Sequence, residues 1–456
     1  MEPIQTRAGR ETAKMKPVAV AGDVFAGLFS AGVRDAGYEV SDHFENSDYG
    51  HGTAELNFPQ TRFHVDASTW REGVAEIRKP VHLFFCNPPC AIWSNARPNT
   101  GASHGSAWSA GASAWQEDPR VQWHENLVRV GLDIKPKVFV LESILPAWRR
   151  GRDHFMKLRD IWMKADYDVT LLLQNNMYIG GTQNRKRLFF IAHQHPLVWP
   201  AFTAPKTVGE LLKPLGRQTG RPLRENLAWC YARSKPGDKL RKLTKTGEYH
   251  GPGISFLFTR LDPDAPPPVM ISHESMIHPK EPRWLNLDEM RALNGVPPWF
   301  KTREMGLGAI GAEFARAVHA GPGKWIAIAA LGGAGRKRGP IRTAVVVDML
   351  DPKRVVDYGM GEEARRMDRE EAEEAPRRAP KPHAKREEVS SVDPARYPLM
   401  EEDNGRVGRY TRRLLLDGLG DQAVLDCIHA HFQGSKATKA DVAYHKYHLR
   451  KEGLRA

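Results

Sequence analysis

Cys90 is the residue of this chain whose setting best suits nucleophilic chemistry. It lies in the motif CNPPCAIWS, residues 86–94, directly after an apolar run that predicts a buried strand. The two prolines fix the backbone before the thiol, and a thiol on a rigid loop at a strand end can attack an electrophile when neighbouring charges lower its pKa. A buried structural cysteine is the alternative, but the position after two prolines favours a nucleophile.

Three charged residues lie beside other apolar runs. Glu142 ends the run in VFVLES, residues 138–143, where an apolar setting would raise the pKa of the carboxyl group and let it act as an acid. Arg185 and Arg187, in QNRKRLFFIA, are two residues apart and would share one face of a strand. Arginine suits planar contacts with carboxylates, phosphates or base edges. An exposed glutamate and a pair of surface salt bridges are the alternatives.

A glycine turn follows the first apolar run. The run leads into DVFAGLFSAGVRDAGY, residues 23–38, and a strand, a tight turn and a helix in this order present backbone N–H groups to a polar or anionic ligand. Glu45 ends the second run, roughly 20 residues on, where ribose hydroxyls are usually held. Asp66 ends the third run. Such turns also form for packing alone, so these residues by themselves leave cofactor binding open.

Seven short apolar runs must position these side chains. Each is too short for a helix, and helical patterns such as Val121–Ile134 and His154–Ala165 lie between several of them. The alternation predicts an α/β domain with a doubly wound, mostly parallel seven-stranded sheet, in which ligands bind beyond the carboxyl ends of the strands. The runs are Pro17–Gly22, Tyr38–Phe44, Arg62–Val65, Val81–Phe85, Val138–Leu141, Asp168–Leu173 and Leu188–Ala192.

The remaining chain divides by composition. After a first domain of alternating strands and helices at 17–194, residues 195–282 are basic and loop-rich. Helical patterns return at Asn286–Asn294 and Ala312–Leu331, within a segment from 283 to 335. Residues 351–403 are dense in Glu, Arg, Lys and Pro, which predicts a charged, partly helical linker. Residues 404–456 predict a small helical module, whose basic end (Tyr444, His445, Lys446, Arg450, Lys451) could contact DNA or simply face solvent.

Composition narrows the class of protein. The 456 residues carry a net charge of +13, which indicates a polyanionic partner or a basic tail that aids solubility. Four cysteines are too few for a disulfide scaffold, and Cys86 and Cys90 have no second pair at ligand spacing, so we expect reduced thiols and no metal site. No apolar run is long enough for a membrane span and no secretory signal precedes the first strand, so we expect a cytoplasmic protein.

The order and spacing of the motifs resemble the cytosine-C5 DNA methyltransferase family. The matching motifs are FAG, PPC with Ser94 four residues after Cys90, Glu142 at a strand end, and Q-x-R-x-R. Thr259–Pro297 resembles the segment that leads out of that family's target-recognition region, and Gly311–Leu331 resembles a diverged final motif. The resemblance covers residues 17–331. The divergence and the appended module suggest a phage-type member acting in a bacterial or phage-infected cell.

The resemblance implies a chemistry. Cys90 would add to C6 of a cytosine flipped out of double-stranded DNA, Glu142 would contact N3 and the exocyclic amine, and Arg187 would contact the base carbonyl. Arg185 would brace the PPC loop, residues 195–282 would read the DNA sequence, and the protein would act as a monomer. S-adenosylmethionine (SAM) is the implied cofactor. Its implied binding residues are Phe25, Ala26, Gly27, Glu45, Asp66 and Pro88.

Several departures from the family pattern leave the exact reaction open. The usual FAG-x-GG turn reads FAGLFSAG and is shorter, Asn87 replaces Gly before PPC, Ala91 replaces Gln after it, and Ser143 replaces Asn after the strand-end Glu. These changes also fit a modified SAM that donates a group larger than methyl. A catalytically silent DNA-binding homologue and a tRNA methyltransferase of the same family would carry similar motifs.

Overall fold

The structure, a computed structural model, describes residues 16–77, 80–93, 118, 120–240, 258–336, 342–367, 369, 407–416, 421–432, 442 and 445. The chain divides into two compact units, Met1–Arg369 and Glu370–Ala456. Among the helices of the described residues, none is long and apolar enough to cross a membrane.

The first unit is built on a sheet that has nine strands in the described residues, in the order β11-β10-β6-β7-β5-β4-β1-β2-β3. All seven predicted strands are present, and neighbouring strands run parallel except where β7 and β11 take part. The α/β fold and the mostly parallel sheet are therefore confirmed. The strands are β1 Val18–Gly22, β2 Glu39–Phe44, β3 Arg62–His64, β4 Val81–Cys86, β5 Val138–Ile144, β6 Asp168–Asn175, β7 Lys186–His193, β8 Thr259–Arg260, β9 Met276–Ile277, β10 Ala344–Met349 and β11 Val356–Gly359.

Helices cover both faces of the sheet. Because side chains alternate along a strand, Val138 and Val140 of β5 pack in one core, whereas Phe139 and Leu141 pack in the core on the opposite face. The helices are α1 Leu28–Asp35, α2 His51–Asn57, α3 Trp70–Glu76, α4 Val121–Ile134, α5 Leu145–Arg150, α6 Arg152–Lys164, α7 Val208–Leu212, α8 Glu225–Arg233, α9 Leu287–Leu293, α10 Leu307–Arg316, α11 Ala320–Gly332, α12 at residues 360–367, α13 Val407–Leu416 and α14 Asp421–His431.

The strand order reverses between β1 and β4. The chain leaves β1 into α1, whose Phe29 and Val33 pack on one face, and it leaves β4 towards α4, whose Leu127 and Val130 pack on the other. Loops that diverge in this way open a crevice at the carboxyl ends of the two strands, which is where doubly wound sheets bind ligands. The FAG turn and the PPC loop flank this crevice.

Three expectations need correction. The sheet has two strands beyond the seven predicted, because β10 pairs with β6 and β11 pairs with β10. The predicted linker of 351–403 is wrong at its start: β11 and α12 are folded there, and Met360, Ala364 and Met367 of α12 lie in the core. The single helical pattern Ala312–Leu331 is in fact divided between α10 and α11, with Ala317–His319 between them.

The basic region has small cores of its own. In the part of 195–282 that the structure describes, α7, α8, β8 and β9 pack through two apolar clusters, one around Leu261 and Met270 and the other around Tyr231 and Trp284. Arg283 makes two hydrogen bonds of 2.8 Å to the buried carboxylate of Glu289 in α9. The region is therefore a folded element with short helices, although its limits remain a prediction.

The second unit contains the predicted small helices. Helices α13 and α14 share an apolar cluster that includes Leu414, Leu415, Val424 and Ile428, as their spacing predicts. Of the basic end of the module, His445 alone is described, so its proposed DNA contacts fall outside the described residues.

Candidate active site

Cys90 lies at the mouth of the crevice. The PPC loop follows β4 and is tied to the end of β1 by a 3.0 Å hydrogen bond from the Asn87 N–H to the Gly22 carbonyl. Cys90 is half-buried and opens a short 3₁₀ turn, Cys90–Trp93. Burial raises the pKa of the Cys90 thiol, and the positive charge of Arg187 opposes this shift. The thiol is thus near the arginine, not sealed in an apolar core.

Glu142 is held at both oxygens. At the end of β5, its Oε1 lies 3.0 Å from Arg187 Nε, and its Oε2 accepts a 2.7 Å hydrogen bond from Asn87 Nδ2. Glu142 is 2% exposed, and burial raises the pKa of its carboxyl group while Arg187 and Arg185 lower it. The predicted acid, arginine and thiol are therefore together at one edge. Asn87, which departs from the family pattern, is a partner of the acid that sequence reasoning missed.

Arg185 points away from solvent into the fold. Its guanidinium donates to the carbonyls of Ala315, at 2.9 Å, and Ala317, at 3.1 Å, so it fastens the junction of α10 and α11 to β7. Burial lowers the pKa of Arg185 to about 9, and the charge of Arg187 adds to this effect. The hydrogen bonds described for the Arg185 guanidinium thus run to the helix junction, and its bracing of the PPC loop stays a prediction.

The predicted cofactor residues follow four neighbouring strands. Phe25, Ala26 and Gly27 come after β1, and Glu45 after β2. Asp66 after β3 and Pro88 after β4 complete the set. Phe25 has φ +53° and Gly27 has φ +85°, so the turn uses left-handed backbone that Phe rarely adopts. Strain of this kind concentrates at functional turns.

The acids of this edge are in contrasting settings. Glu45 is buried, and its Oε1 accepts a 3.1 Å hydrogen bond from the Val24 N–H. Asp66, in contrast, is exposed and caps a short turn by accepting from the Ser68 N–H at 2.9 Å. Burial raises the pKa of Glu45 well above its usual range, and the charge of a second buried acid, Asp23, adds to this.

Asp23 is a further residue that sequence reasoning missed. It accepts hydrogen bonds of 2.6 and 2.8 Å from the backbone and side chain of Asn46, and burial raises its pKa to about 7. Its place directly after β1, matching that of Glu45 after β2, was the available signal. Carboxyl oxygens beside an aromatic side chain and a glycine turn suit a ligand that carries hydroxyl and amine donors and an adenine ring. The residues present therefore fit SAM.

The FAG turn is tightly packed against the start of α2, and the end of α10 lies next to it. Gly50, before α2, has φ +78°, and a Cβ there would lie 2.6 Å from the Ala26 backbone nitrogen. The ring of Tyr49 meets that of Phe25 edge-on at 6.0 Å between centroids, and the guanidinium of Arg316 lies 4.1 Å above Tyr49. The entry to α2 and the end of α10 therefore hold the turn in its strained shape.

Comparison with known proteins identifies the class. Residues 21–310 match the family described as C-5 cytosine-specific DNA methylase, so the chain belongs to this family. The resemblance predicted from the motifs is confirmed.

Individual relatives are distant. The chain is 24% identical over 172 residues to the type II methyltransferase M.NgoPII of Neisseria gonorrhoeae, which covers 38% of this chain and 46% of the relative. It is 25% identical over 186 residues to M.FnuDI of Fusobacterium nucleatum, covering 41% and 49%. The chain thus matches about half the length of these curated relatives. A solved structure, assigned as a DNA modification methyltransferase encoded within an E. coli prophage, shares the fold with a TM-score of 0.54 at 17% identity, covering 70% of this chain and 99% of that one.

Proposed function

We propose that this protein transfers a methyl group from SAM to C5 of a cytosine flipped out of double-stranded DNA, through a covalent adduct at Cys90. The observation that carries the proposal is the meeting of three groups at one sheet edge: the half-buried thiol, Glu142 and Arg187, the last two 3.0 Å apart. Membership of the cytosine-specific family supports the choice of base.

Each group has a distinct task. The Cys90 thiolate forms a bond to C6, and electron density moves to C5. Glu142, whose pKa is raised by burial, keeps a proton available for N3 and accepts from the exocyclic amine. Arg187 donates to the base carbonyl. Once C5 carries the methyl group, loss of the C5 proton to a base restores the double bond between C5 and C6 and releases the thiolate.

The cofactor site is proposed at the neighbouring strand ends. SAM, when bound, supplies an electrophilic methyl group. The buried carboxyl groups of Asp23 and Glu45 would accept hydrogen bonds from the hydroxyl or amine donors of SAM. The strained FAG turn would bring its apolar residues close to the cofactor. The residues proposed to hold it are Phe25, Ala26, Gly27, Glu45, Asp66 and Pro88.

We expect the basic region to bind the DNA backbone. Its exposed cations would release counterions from phosphates, which supplies affinity independent of sequence. We also expect a monomer that acts in the cytoplasm of a bacterial or phage-infected cell. Among the described residues of the region, the exposed cations are Lys206, Lys213, Arg217, Arg221, Arg224, Arg233, Lys235 and Lys280.

Trapping on a fluorinated base tests the proposal. Random-sequence duplexes containing 5-fluorocytosine should yield a covalent adduct in the presence of SAM, because fluorine cannot leave C5 as a proton does. The adduct should disappear in Cys90→Ser and persist in Cys230→Ser, which alters another half-buried thiol. Failure of the wild-type protein to form any adduct on DNA would overturn the proposal.

Mass spectrometry of nucleosides from treated nucleic acid separates the competing functions. 5-Methylcytosine in duplex DNA is the expected product. A heavier nucleoside would show that a modified SAM delivers a larger group. A product confined to tRNA would show that the protein is a tRNA methyltransferase of the same family. An unmodified pool together with tight DNA binding would identify a silent homologue.

A further inference from the structure

The turn that Cys90 opens ends at a carbonyl group that Arg150 holds. Cys90 begins the 3₁₀ turn Cys90–Trp93, and the last carbonyls of such a turn have no partner within it. The Arg150 guanidinium, at the end of α5, donates to the Trp93 carbonyl at 3.0 Å. A cationic donor is a favourable partner for the carbonyl end of a helical turn. Arg150 thus caps the turn from outside, three residues beyond the nucleophile.

Trp93 is fixed by its side chain as well. The indole is completely buried and lies in the same apolar cluster as Ala147 and Trp148 of α5. Gly151 leaves it the room that it needs, because a Cβ at this position would lie 2.5 Å from Trp93 Nε1 and 3.0 Å from the Ala147 carbonyl oxygen. The backbone therefore passes close to the indole directly after Arg150.

The PPC loop is held at two places, one on each side of Cys90. On the near side, Asn87 donates to Glu142 at 2.7 Å, three residues before the thiol. On the far side, Trp93 accepts from Arg150, three residues after the thiol. Both partners belong to one continuous segment, since α5 begins directly after β5. The segment that carries the acid therefore holds both flanks of the loop that carries the nucleophile.

We propose that Arg150 is a positioning residue for the nucleophile: by holding the Trp93 carbonyl, it keeps the Cys90 thiol in place beside Glu142 and Arg187. Misplacement of a reacting group by about 1 Å can cost roughly a hundredfold in rate, so a hydrogen bond remote from the base can govern the attack. The inference rests on the proposed function, because its effect on rate is read from the attack of Cys90 on cytosine. Its effect on the loop can be measured without DNA.

The test compares Arg150→Met with Arg149→Met. Methionine keeps part of the apolar length of the arginine side chain but deletes its donors. Arg149 is the neighbouring, exposed arginine in the last turn of the same helix, so its replacement removes the same charge and leaves the Trp93 carbonyl held. Trapping on 5-fluorocytosine at saturating DNA measures the rate of attack. Fluorescence anisotropy measures DNA affinity, calorimetry measures binding of S-adenosylhomocysteine, and amide hydrogen exchange of a peptide spanning residues 86–93 measures the mobility of the loop.

We expect Arg150→Met to slow trapping by about tenfold or more at unchanged affinity for DNA and S-adenosylhomocysteine, because the change alters the placement of the thiol. Exchange should rise in the peptide of residues 86–93 and stay unchanged in β6 and β7. Arg149→Met should leave the trapping rate and the exchange of that peptide unchanged. Arg150→Lys, which keeps a charged donor on a long side chain, should recover most of the rate. If Arg150→Met does not fold, Arg150→Gln, whose side chain is shorter, takes its place.

Trapping at the wild-type rate by folded Arg150→Met would overturn the inference. An equal loss in Arg149→Met would also overturn it, because the charge at the helix end, and not the hydrogen bond, would then set the rate. Absence of trapping by the wild-type protein, together with increased exchange of the loop in Arg150→Met alone, would instead count against the proposed function and leave the holding of the loop intact.

Discussion

The pairing of Arg187 with Glu142 makes stability depend on pH in a defined direction. Replacing Arg187 with Met removes the 3.0 Å contact and leaves a carboxylate that is 2% exposed without its cation. Removal of one member of a buried ion pair typically costs about 3–5 kcal/mol. We therefore expect Arg187→Met to lower the free energy of unfolding by about 3 kcal/mol at pH 8.

The loss of unfolding free energy in Arg187→Met should be smaller at acidic pH. Burial already raises the pKa of Glu142 and Arg187 opposes it, so loss of the arginine raises that pKa further. A carboxyl group whose pKa is higher in the folded than in the unfolded state destabilises the fold when it ionises. The free energy of unfolding is therefore at its full value below the pKa of the unfolded state, about 4.3 for Glu, where Glu142 is protonated in both states. It falls as pH rises through the higher pKa of the folded state. The difference between variant and wild type should thus be small at pH 5.

Urea unfolding at pH 5 and pH 8 measures this difference. The matched control is Lys157→Met, which breaks a 3.1 Å ion pair with Glu125 on an exposed surface and should cost below about 1 kcal/mol at either pH. A loss of equal size at both pH values would refute the argument, because it would mean that ionised Glu142 is not what destabilises the variant.

Two further substitutions test the edges of the crevice. Asn87→Gly deletes the 2.7 Å hydrogen bond to Glu142, and because that donor favours the charged acid, the pKa of Glu142 should rise. Since Glu142 must carry a proton to act, the alkaline limb of the profile of kcat/KM against pH should move upward, and an unmoved limb would contradict the role of Asn87. Gly50→Ala should weaken binding of S-adenosylhomocysteine by at least about tenfold in calorimetry, because the new Cβ would meet the Ala26 backbone. The control is Gly37→Ala, at φ +98° with open space around it, which should cost about 1 kcal/mol of stability and leave the affinity unchanged.

The strands and the catalytic edge could be predicted because their signals are local. Strands β1 and β4 to β7 are short runs rich in Val, Phe, Leu or Ile, and parallel strands place the residues that follow them at one edge of the sheet. Glu142 lies at the end of such a run and Cys90 four residues after one, so the approach of these two side chains at one edge could be expected from the sequence.

The parts that could not be predicted depend on contacts between distant residues. Nothing in the sequence near Asn87 indicates that its amide reaches Glu142, 55 positions away. The average composition of residues 351–403 did not indicate β11 and α12, because charged residues dominate the segment. Three apolar residues at helical spacing, Met360, Ala364 and Met367, nevertheless anchor α12 in the core.

The two strands beyond the predicted seven, β10 and β11, limit how far the protein can be truncated. Every residue of β6 is buried, and β10 pairs with it from Val169 to Gln174. A shortened protein that stopped before Ala344 would expose the whole flank of β6, an apolar strand rich in Leu with free backbone donors and acceptors, and such flanks recruit other chains into aggregates. The start of the charged stretch is needed as well, because β11 covers the outer edge of β10 and α12 packs in the core.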